Sequence, residues 1–302
     1  MLSKISKPIL SYTNKFRLLL VFYFTGVCVL VIFPAGLSFF LAFFEYDALS
    51  PPIWVGKFNF ILAYTDELFL LSVRNSIALV ILPIPMRVFG AFIIARLMQQ
   101  DHPWVNWFRA SVFLPYIIPT TAYALASLWI LNPIYGPVNI FLRFLGFDVP
   151  GWFTDPLWSK PALIVMSLWQ IGEGFLISLV SLRDIPLGLE DAARIDGAGK
   201  WNTFWLIILP LMAPILLLLS FRDIILALQE SLSTILLTTG GGPYYSTYTL
   251  PLFVYEQGFD LLSFGTASAA MWGLYLLSGL LILVLYSLFG GDGTSITDET
   301  FF

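Results

Sequence analysis

Residues 189–210 read LEDAARIDGAGKWNTFWLIILP, and this stretch joins a charged segment directly to a long apolar one. Its first part carries Glu190, Asp191, Arg194, Asp196 and Lys200. Its second part carries no charge and ends in Leu209-Pro210. Because a long apolar run is typical of a membrane span, the charged part predicts a place where a membrane-spanning chain meets water.

The composition excludes an ordinary soluble protein. Hydrophobic residues make up 58% of the 302 residues and charged residues 11%, whereas soluble proteins carry about 25% charged residues. Phe (28) and Trp (10) are abundant, as is typical where aromatic rings lie at membrane interfaces. The net charge of −4 offers no basic surface, so we expect membrane lipid as a partner and no nucleic acid.

Six apolar runs reach the length of about 20 residues that a bilayer crossing needs. They occupy residues 18–44, 75–98, 110–131, 161–182, 203–229 and 266–289. The first run is longer than the core of a cleaved signal peptide, so we interpret it as an anchor. The sequence therefore predicts an all-α polytopic membrane protein with six transmembrane helices. Its membrane domain would span 18–289, between an N-terminal segment 1–17 and a tail 290–302.

Three of these runs contain pairs of prolines, which bend helices because proline lacks an N–H donor. The pairs are Pro83 and Pro85, Pro115 and Pro119, and Pro210 and Pro214. Such bends persist in membranes where neighbouring groups satisfy the freed carbonyls. They predict either ordinary helix bending or a bundle of bent helices around a path, and prolines alone do not decide between the two.

Basic residues indicate which side of the membrane each loop faces, because lysine and arginine gather on the cytoplasmic side. They cluster before the first run, on both flanks of the loop between the second and third runs, and in the loop between the fourth and fifth. Both termini and the loop 183–200 are therefore predicted to be cytoplasmic. The tail 290–302 contains no Lys or Arg and weakly opposes this orientation.

The charged loop has the features of a short helix at the membrane surface. Asp184-Ile185-Pro186 is a helix-start signal, and Glu190 with Arg194 has the i,i+4 spacing of an ion pair. Ala192 and Ala193 are small enough for another surface to approach closely, and Gly197 and Gly199 permit a turn. The pattern predicts a short helix parallel to the membrane and rigidly joined to the fifth span, so that a partner pushing on the helix would move the span. The alternative is a solvated loop that only connects two spans.

The same loop resembles a signature of ABC importer permease subunits. The residues DAARIDGAGKWNTFWLIILP match the pattern EAA-x3-G-x9-I-x-LP, with Asp191 in place of the usual glutamate. Three further stretches resemble sugar permeases: RNSIALVILPIPMRVFGAFIIARLM, FLPYIIPTTAYALASLWILNPIYGPVN, and LLTTGGGPYYSTYTLPLFVYEQGF with FGTASAAMW. The likeness covers residues 70–290 and is similar to the carbohydrate-uptake branch, which includes the maltose and glycerol-phosphate systems.

This resemblance implies a type I ABC importer permease fold in a bacterial or archaeal cell membrane. It implies a second permease that is a different chain, two cytoplasmic ABC ATPases, and an extracytoplasmic solute-binding protein that delivers a sugar or polyol. The loop 183–200 would dock into the ATPase. The coupling residues would be Leu189, Glu190, Asp191, Ala192, Ala193, Arg194, Asp196 and Gly197.

The sequence offers no catalytic or metal-binding constellation. A G-x-x-x-x-G-K-[ST] phosphate loop is missing, and Gly240-Gly241-Gly242 is followed by Pro243. These glycines predict a tight turn instead. The only histidine, His102, lies in a polar loop, and the only cysteine, Cys28, lies in an apolar run. We therefore expect no cofactor on this chain, with ATP and Mg²⁺ held by the partner ATPase.

Polar residues inside spans are costly and commonly mark a path through the bundle. The candidates are Trp169, Gln170 and Glu173 in the fourth span and Gln229, Glu230 and Ser231 in the fifth. They suit a polyol, because amides and carboxylates hydrogen-bond hydroxyls. Alternatively, they face the sister permease or stabilise packing, which is how we interpret Arg222 and Asp223. A phosphate-bearing solute would need several cations along the path, and only Arg222 lies deep in the fifth span. Neutral solutes are therefore favoured over phosphate-bearing ones.

Two other functions remain open from the residues themselves. A secondary transporter is usually longer and contains inverted repeats, which this sequence does not display. A membrane scaffold would not need the docking signature and would not stimulate an ATPase. Among importer solutes, a disaccharide, a glycosylated polyol and glycerol phosphate all fit the sequence.

Overall fold

The computed structural model describes residues 12–100 and 102–290. Its N-terminal part contains α1 (Tyr12–Val27), α2 (Phe33–Leu41), β1 (Phe44–Glu45), β2 (Ile53–Trp54), α3 (Phe58–Thr65), α4 (Glu67–Ile81) and α5 (Pro83–Leu97). The middle contains α6 (Pro103–Ile117), α7 (Thr120–Ile130), α8 (Pro137–Phe144), α9 (Pro156–Leu168), α10 (Gly172–Asp184) and α11 (Leu187–Ile195). The last part contains α12 (Lys200–Thr203), α13 (Leu209–Thr238), α14 (Leu250–Tyr255) and α15 (Phe264–Phe289).

Three π-helical turns connect some of these helices without a break. They are Cys28–Ile32 between α1 and α2, Phe204–Ile208 between α12 and α13, and Glu256–Asp260 after α14. The strands form a single antiparallel pair with Phe44 opposite Trp54 and Glu45 opposite Ile53. The predicted all-α class is therefore confirmed, apart from this short ribbon.

Among the described residues, four continuous helices are long and apolar enough to cross a membrane: Phe16–Leu41, Glu67–Leu97, Lys200–Thr238 and Phe264–Phe289. Two broken pairs meet the same test together, α6 with α7 at a bend of 101° and α9 with α10 at 42°. Six crossings result if each broken pair is one span. The sharp bend falls at Ile118-Pro119, where the proline pair predicted a bend and where Pro119 directly precedes α7.

Two of the helices extend beyond the predicted runs, because polar residues interrupted the apolar pattern without ending the helix. The second span begins at Glu67 rather than 75, and buried Asn75 lies within it. The fifth continues past Gln229 and Glu230 to Thr238. Backbone hydrogen bonds continue through a polar residue in a helix, so hydropathy alone places these ends too early.

Side-chain caps fix several helix starts. Asp66 accepts a hydrogen bond from the Leu68 N–H before α4, and Asp155 accepts one from the Leu157 N–H before α9. His102 Nδ1 lies 3.4 Å from the Trp104 nitrogen and caps α6. These are the positions where an oxygen or nitrogen acceptor satisfies a free N–H at a helix start. The lone histidine therefore has a structural role.

Two apolar clusters hold the bundle together. The larger one packs α4, α9, α13, α14 and α15 around residues such as Phe69, Leu228 and Phe253. The smaller one packs α5 and α10 against the start of α13, around Phe92, Phe175 and Met212. The smaller cluster includes Leu182 near the end of α10 and Ile185 just before α11, so it lies next to the loop that carries α11.

Candidate functional site: the coupling helix and the central cavity

The loop highlighted by the sequence forms a defined helix with a tight exit. Gly197 adopts a φ of 85° after α11, its N–H donates to Arg194 O at 3.1 Å, and the Ala198 N–H donates to Ala193 O at 2.8 Å. This is the Schellman arrangement, in which a left-handed residue closes a helix. Gly199 then caps α12, which runs without a break into the fifth span. The predicted short helix and glycine turn are confirmed.

The predicted ion pair between Glu190 and Arg194 is wrong. Glu190 instead accepts two hydrogen bonds from Arg96, Nη1 to Oε1 at 3.0 Å and Nη2 to Oε2 at 2.8 Å. Arg194 pairs with Asp191 at 3.2 Å on the exposed side of α11. The guanidinium fork of Arg96 matches both carboxylate oxygens, and this bidentate fit outcompetes a single pair on the helix surface. Arg96 lies in the last turn of α5.

A second contact reinforces this junction. Gln99 follows α5 directly, and its Nε2 donates to Leu182 O near the end of α10 at 3.1 Å. Arg96 also hydrogen-bonds the Gln99 side chain. The end of the second span, the end of α10 and the helix α11 are therefore joined through polar groups at one point.

The predicted coupling residues divide between two sides of α11. Glu190 is half-buried against Arg96, and Ala193 is buried. The others are exposed: Leu189, Asp191, Ala192, Arg194, Asp196 and Gly197. Sequence reasoning missed Ile195, whose side chain is 87% exposed. The sequence signal that could have identified it is an isoleucine between two charged residues, Arg194 and Asp196. An apolar side chain exposed at such a place is a candidate contact for a partner.

A cluster of charges lies between the fourth, fifth and second spans. Arg222 bonds the carboxylates of Glu173 and Asp223, the latter at 2.8 Å, and Arg87 Nε lies 3.6 Å from Asp223. Tyr116 donates a hydrogen bond to Glu173. Two guanidinium groups thus face two carboxylates. The expectation that Arg222 and Asp223 have internal partners is confirmed.

Sequence reasoning missed Arg87. Its Nη2 donates to Gln170 O at 3.2 Å, and its side chain is only 16% exposed. An ionisable residue within an apolar run is by itself a sign of a functional or paired group, so the signal was present. The sequence could not have named Asp223 as its partner, since 136 positions separate the two.

A cavity of about 330 Å³ lies beside this charge cluster. One wall is a single face of α4 and α5, formed by Ser76, Leu79, Val80, Pro83, Ile84 and Arg87. The i, i+3, i+4, i+7 spacing of these residues is that of one helix face. Residues of α6, α7, α9 and α13, together with Gln170 between α9 and α10 and Thr249 just before α14, complete the lining. The volume is within the range of small-molecule sites.

Three of the six predicted path residues line this cavity: Gln170, Glu230 and Ser231. The described lining does not include Trp169, Glu173 or Gln229. Trp169 is 66% exposed and points away from the core. Glu173 reaches the cavity only through its partners Arg222 and Tyr116, which both line it.

The glycine run forms the predicted turn above this region. Gly240 and Gly241 have φ values of 57° and 84°, which glycine adopts without strain. Asn75 Nδ2 donates to the carbonyls of Tyr245 and Tyr248 at 2.9 Å and holds the turn against α4.

Within residues 12–100 and 102–290 no group of three or more His, Cys, Asp or Glu side chains could hold a metal ion.

Comparisons with known proteins agree with this architecture. The family model "Binding-protein-dependent transport system inner membrane component" matches residues 87–290. The chain is 31% identical over 267 residues to the probable ABC transporter permease protein YesP of Bacillus subtilis, covering 86% of this chain and 85% of that protein. It is 30% identical over 254 residues to the sulfoquinovosyl glycerol transport system permease protein SmoG of Agrobacterium fabrum, covering 83% and 82%.

A solved structure supports the fold. One chain in the crystal structure of a bacterial ABC transporter involved in the import of the acidic polysaccharide alginate matches with a TM-score of 0.77. The match covers 93% of this chain and 96% of that chain at 21% identity. The predicted resemblance and fold are confirmed, and the readings as secondary transporter or scaffold are set aside. The chain belongs to the family of binding-protein-dependent transport system inner membrane components, the permeases of ABC importers.

Proposed function

We propose that the chain is the permease subunit of an ATP-driven importer for a sugar or related polyol. The proposed assembly contains a second, different permease, two cytoplasmic ABC ATPases and an extracytoplasmic solute-binding protein. The printed functions of relatives support the solute class. SmoG is a sulfoquinovosyl glycerol permease, and the lactose transport system permease protein LacF of Rhizobium radiobacter is 27% identical over 232 residues.

The observation that carries the proposal is the way α11 is joined to two spans. The Arg96–Glu190 pair ties it to the end of α5, and the Gly197 turn ties it to the helix that becomes α13. A push on the exposed side of α11 would therefore move the second and fifth spans together. Leu189 and Ile195 offer an apolar contact to an ATPase cleft, beside the exposed charges of Asp191 and Arg194.

The cavity is the proposed solute path. Gln170, Glu230 and Ser231 present an amide, a carboxylate and a hydroxyl along its lining, and such groups donate to and accept from sugar hydroxyls. Apolar residues such as Leu79 and Ile84 provide the remaining contact. A cavity that combines apolar contact with placed polar groups is suited to a small-molecule ligand.

The charge cluster supports a neutral solute. Arg87 brings a second guanidinium to the cavity, so a scarcity of cations no longer argues against an anionic solute. Asp223 nevertheless contacts both guanidinium groups and Glu173 contacts that of Arg222, and the formal charges of the four residues sum to zero. An anionic solute would have to displace these carboxylates, whereas a neutral polyol would leave the pairs intact.

The proposed setting is a bacterial or archaeal cell membrane with both termini in the cytoplasm. The membrane domain corresponds to 18–289, with the segments 1–17 and 290–302 on the cytoplasmic side. Residues 1–11 and 291–302 lie outside the described residues. In this proposal ATP and Mg²⁺ bind only to the partner ATPase, and the chain itself carries no cofactor and catalyses no reaction.

Uptake into membrane vesicles tests this function. Vesicles containing both permeases and the binding protein are prepared with and without the cognate ATPase, and labelled lactose, maltose, sucrose and glycerol are offered separately. We expect ATP-dependent, vanadate-sensitive uptake of at least one compound only when the ATPase is present. Uptake that is equal in both preparations would indicate a transporter that works without ATP, and uptake of none of them would remove the proposed solute class.

A further inference from the structure

Two hydroxyl residues lie at the end of the cavity away from the charge cluster. Ser76 and Thr249 are 2% and 1% exposed, and both belong to the cavity lining. Ser76 is in α4, and Thr249 directly precedes α14. Neither was among the polar residues predicted for the solute path. Burial of a hydroxyl without a hydrogen-bond partner is costly, so each hydroxyl needs an explanation.

The hydroxyl of Thr249 has no hydrogen-bond partner among the described residues. Threonine at this position before a helix usually accepts a bond from an N–H in the first turn. Here the Leu250 N–H donates instead to Ser76 Oγ at 2.9 Å, and Pro251 has no N–H to donate. The helix start is therefore arranged so that the threonine side chain makes no cap bond.

Ser76 also retains hydrogen-bonding capacity. Its oxygen accepts from the Leu250 N–H, and a hydroxyl that accepts still has its own proton to donate. The two neighbouring side chains can thus supply one donor from Ser76 and both a donor and acceptors from Thr249. This combination suits a ligand hydroxyl group, which itself both donates and accepts.

The two ends of the cavity are far apart on one helix face. Ser76 and Arg87 both belong to the lining of the continuous second span, and their separation in sequence corresponds to about 16 Å at 1.5 Å per residue. The lining between them on this face is apolar, formed by Leu79, Val80, Pro83 and Ile84. This face, with polar groups at both ends and an apolar middle, fits an elongated solute with more than one ring.

We infer that Ser76 and Thr249 form an outer subsite that binds a hydroxyl of the solute, at the opposite end of the cavity from Arg87 and Arg222. The inference rests on the proposed function as a carbohydrate permease and adds two contact residues and an elongated, neutral solute to it. The subsite holds the outer end of the solute. Gln170, whose backbone oxygen accepts from Arg87, lies near the charge cluster, and Glu230 and Ser231, eight and nine residues beyond Arg222 on α13, line the cavity toward the subsite.

Thr249→Val tests this subsite, because valine keeps the shape of threonine and removes only the hydroxyl. The complete importer is reconstituted in vesicles, and uptake of the disaccharide that the wild type transports best among lactose, maltose and sucrose is measured at limiting loaded binding protein. We expect Thr249→Val to lower uptake roughly 3- to 10-fold, the loss of one hydrogen bond. Thr249→Ser keeps a hydroxyl at this position and therefore the hydrogen bond, so its uptake should stay within about twofold of the wild type.

A matched control is Thr65→Val, since the Thr65 hydroxyl bonds Ile61 O on an exposed helix outside the cavity lining. This variant should transport like the wild type. ATPase co-purification should be unchanged in all variants, which separates solute contact from misassembly. If Thr249→Val does not assemble, Thr249→Ala replaces it, because alanine removes the hydroxyl without adding bulk.

The outcomes separate this inference from the proposed function. Wild-type uptake together with unchanged uptake by an assembled Thr249→Val or Thr249→Ala variant overturns the subsite and leaves the carbohydrate importer standing. No vanadate-sensitive uptake of any tested sugar by the wild type removes the proposed function first, and the subsite with it. A loss that Thr249→Ser fails to restore also contradicts a role for the hydroxyl.

Discussion

At the residue scale, the partner of a charged side chain decides what that side chain does. Sequence reasoning identified Glu190 and Glu173 as charges that need an explanation, and it placed them in the correct elements. It could not name Arg96 or Arg222 as their partners, because local spacing reports only neighbours on the same helix. Glu190 joins α11 to the second span and Glu173 joins the fourth span to the fifth, and such contacts follow from tertiary packing alone.

Glu173→Ala should impair uptake while assembly with the ATPase survives. The substitution removes the carboxylate that Arg222 and Tyr116 contact and leaves the cluster with a net positive charge. Hydrogen bonds to charged groups contribute about 1.5–3 kcal/mol, so we expect uptake to fall roughly tenfold or more. Uptake in vesicles and co-purification of the ATPase measure the two effects.

A control for this variant is Gln229→Ala, which removes a polar side chain that is exposed and lies outside the cavity lining. It should leave uptake close to the wild-type value. If Glu173→Ala transports normally, the charge cluster has no part in forming the solute path.

Glu190→Gln and Asp191→Asn should affect different properties, although the two residues are adjacent. Glu190 is bidentate with Arg96 at side-chain exposures of 15% and 28%, whereas Asp191 pairs with Arg194 at exposures of 65% and 67%. We expect Glu190→Gln to destabilise the permease by about 1–3 kcal/mol and Asp191→Asn by less than about 1 kcal/mol. Thermal unfolding of the purified protein in detergent measures this difference.

The order of the two variants should be reversed for ATPase binding: Asp191→Asn, which has the smaller effect on stability, should have the larger effect on binding. Asp191→Asn leaves the junction intact and changes only the exposed side of α11, so it should weaken co-purification of the ATPase. Equal thermal stabilities for the two variants would contradict the assignment of Glu190 as the residue that fixes α11 to α5.

At the element scale, hydropathy and prolines predicted the existence of the spans better than their ends and angles. The break at Pro119 was predictable because proline and the residue before it leave the helical region. Its angle of 101° was not, since the angle depends on how α6 and α7 pack against other elements. The unbroken passage of α13 through Gln229 was also unpredictable from polarity alone.

At the bend between α9 and α10, Gly172 lies so close to α6 that a side chain would not fit. A Cβ atom on Gly172 would lie 2.8 Å from Tyr116 Cβ and 3.1 Å from the backbone of Phe113. Gly172→Ala should therefore push α10 away from α6 and destabilise the protein by about 1–3 kcal/mol. Thermal unfolding and uptake should both decline, since Tyr116 is also the partner of Glu173.

Gly174→Ala is the matched control in the same helix turn. Its added Cβ would meet Ala91 Cβ at 3.5 Å, an ordinary contact, and alanine is favoured over glycine inside helices by about 1 kcal/mol. We expect this variant to be as stable as the wild type or more so. A Gly172→Ala protein as stable as Gly174→Ala would show that α6 and α10 do not need this approach.

At the scale of the whole molecule, the short helix α11 can act on a distant cavity because two spans connect them. The second span carries Arg96 at its inner end and Arg87 and Ser76 in the cavity wall. The fifth span begins just after the coupling helix and carries Arg222, Glu230 and Ser231 to the same cavity. A shift of α11 would therefore change the distance between the two walls. The sequence predicted only the second of these connections.

The number of membrane crossings decides whether this geometry works, and labelling of single cysteines can measure it. In a Cys28→Ser background, which removes the only cysteine, the variants are Asp148→Cys, Tyr244→Cys and Ile195→Cys at exposed positions. With six crossings, Asp148 and Tyr244 lie outside and Ile195 lies inside. With four, the broken pairs would return to the side from which they entered, and Asp148 would also lie inside.

We expect a membrane-impermeant maleimide to label Asp148→Cys and Tyr244→Cys in intact spheroplasts, and Ile195→Cys only after permeabilisation. Tyr244→Cys and Ile195→Cys give the same result for either count, so they act as controls for orientation. Labelling of Asp148→Cys only after permeabilisation would reduce the crossings to four. Labelling of Ile195→Cys in intact spheroplasts would place α11 outside, where no cytoplasmic ATPase could reach it, and the proposed coupling would fail.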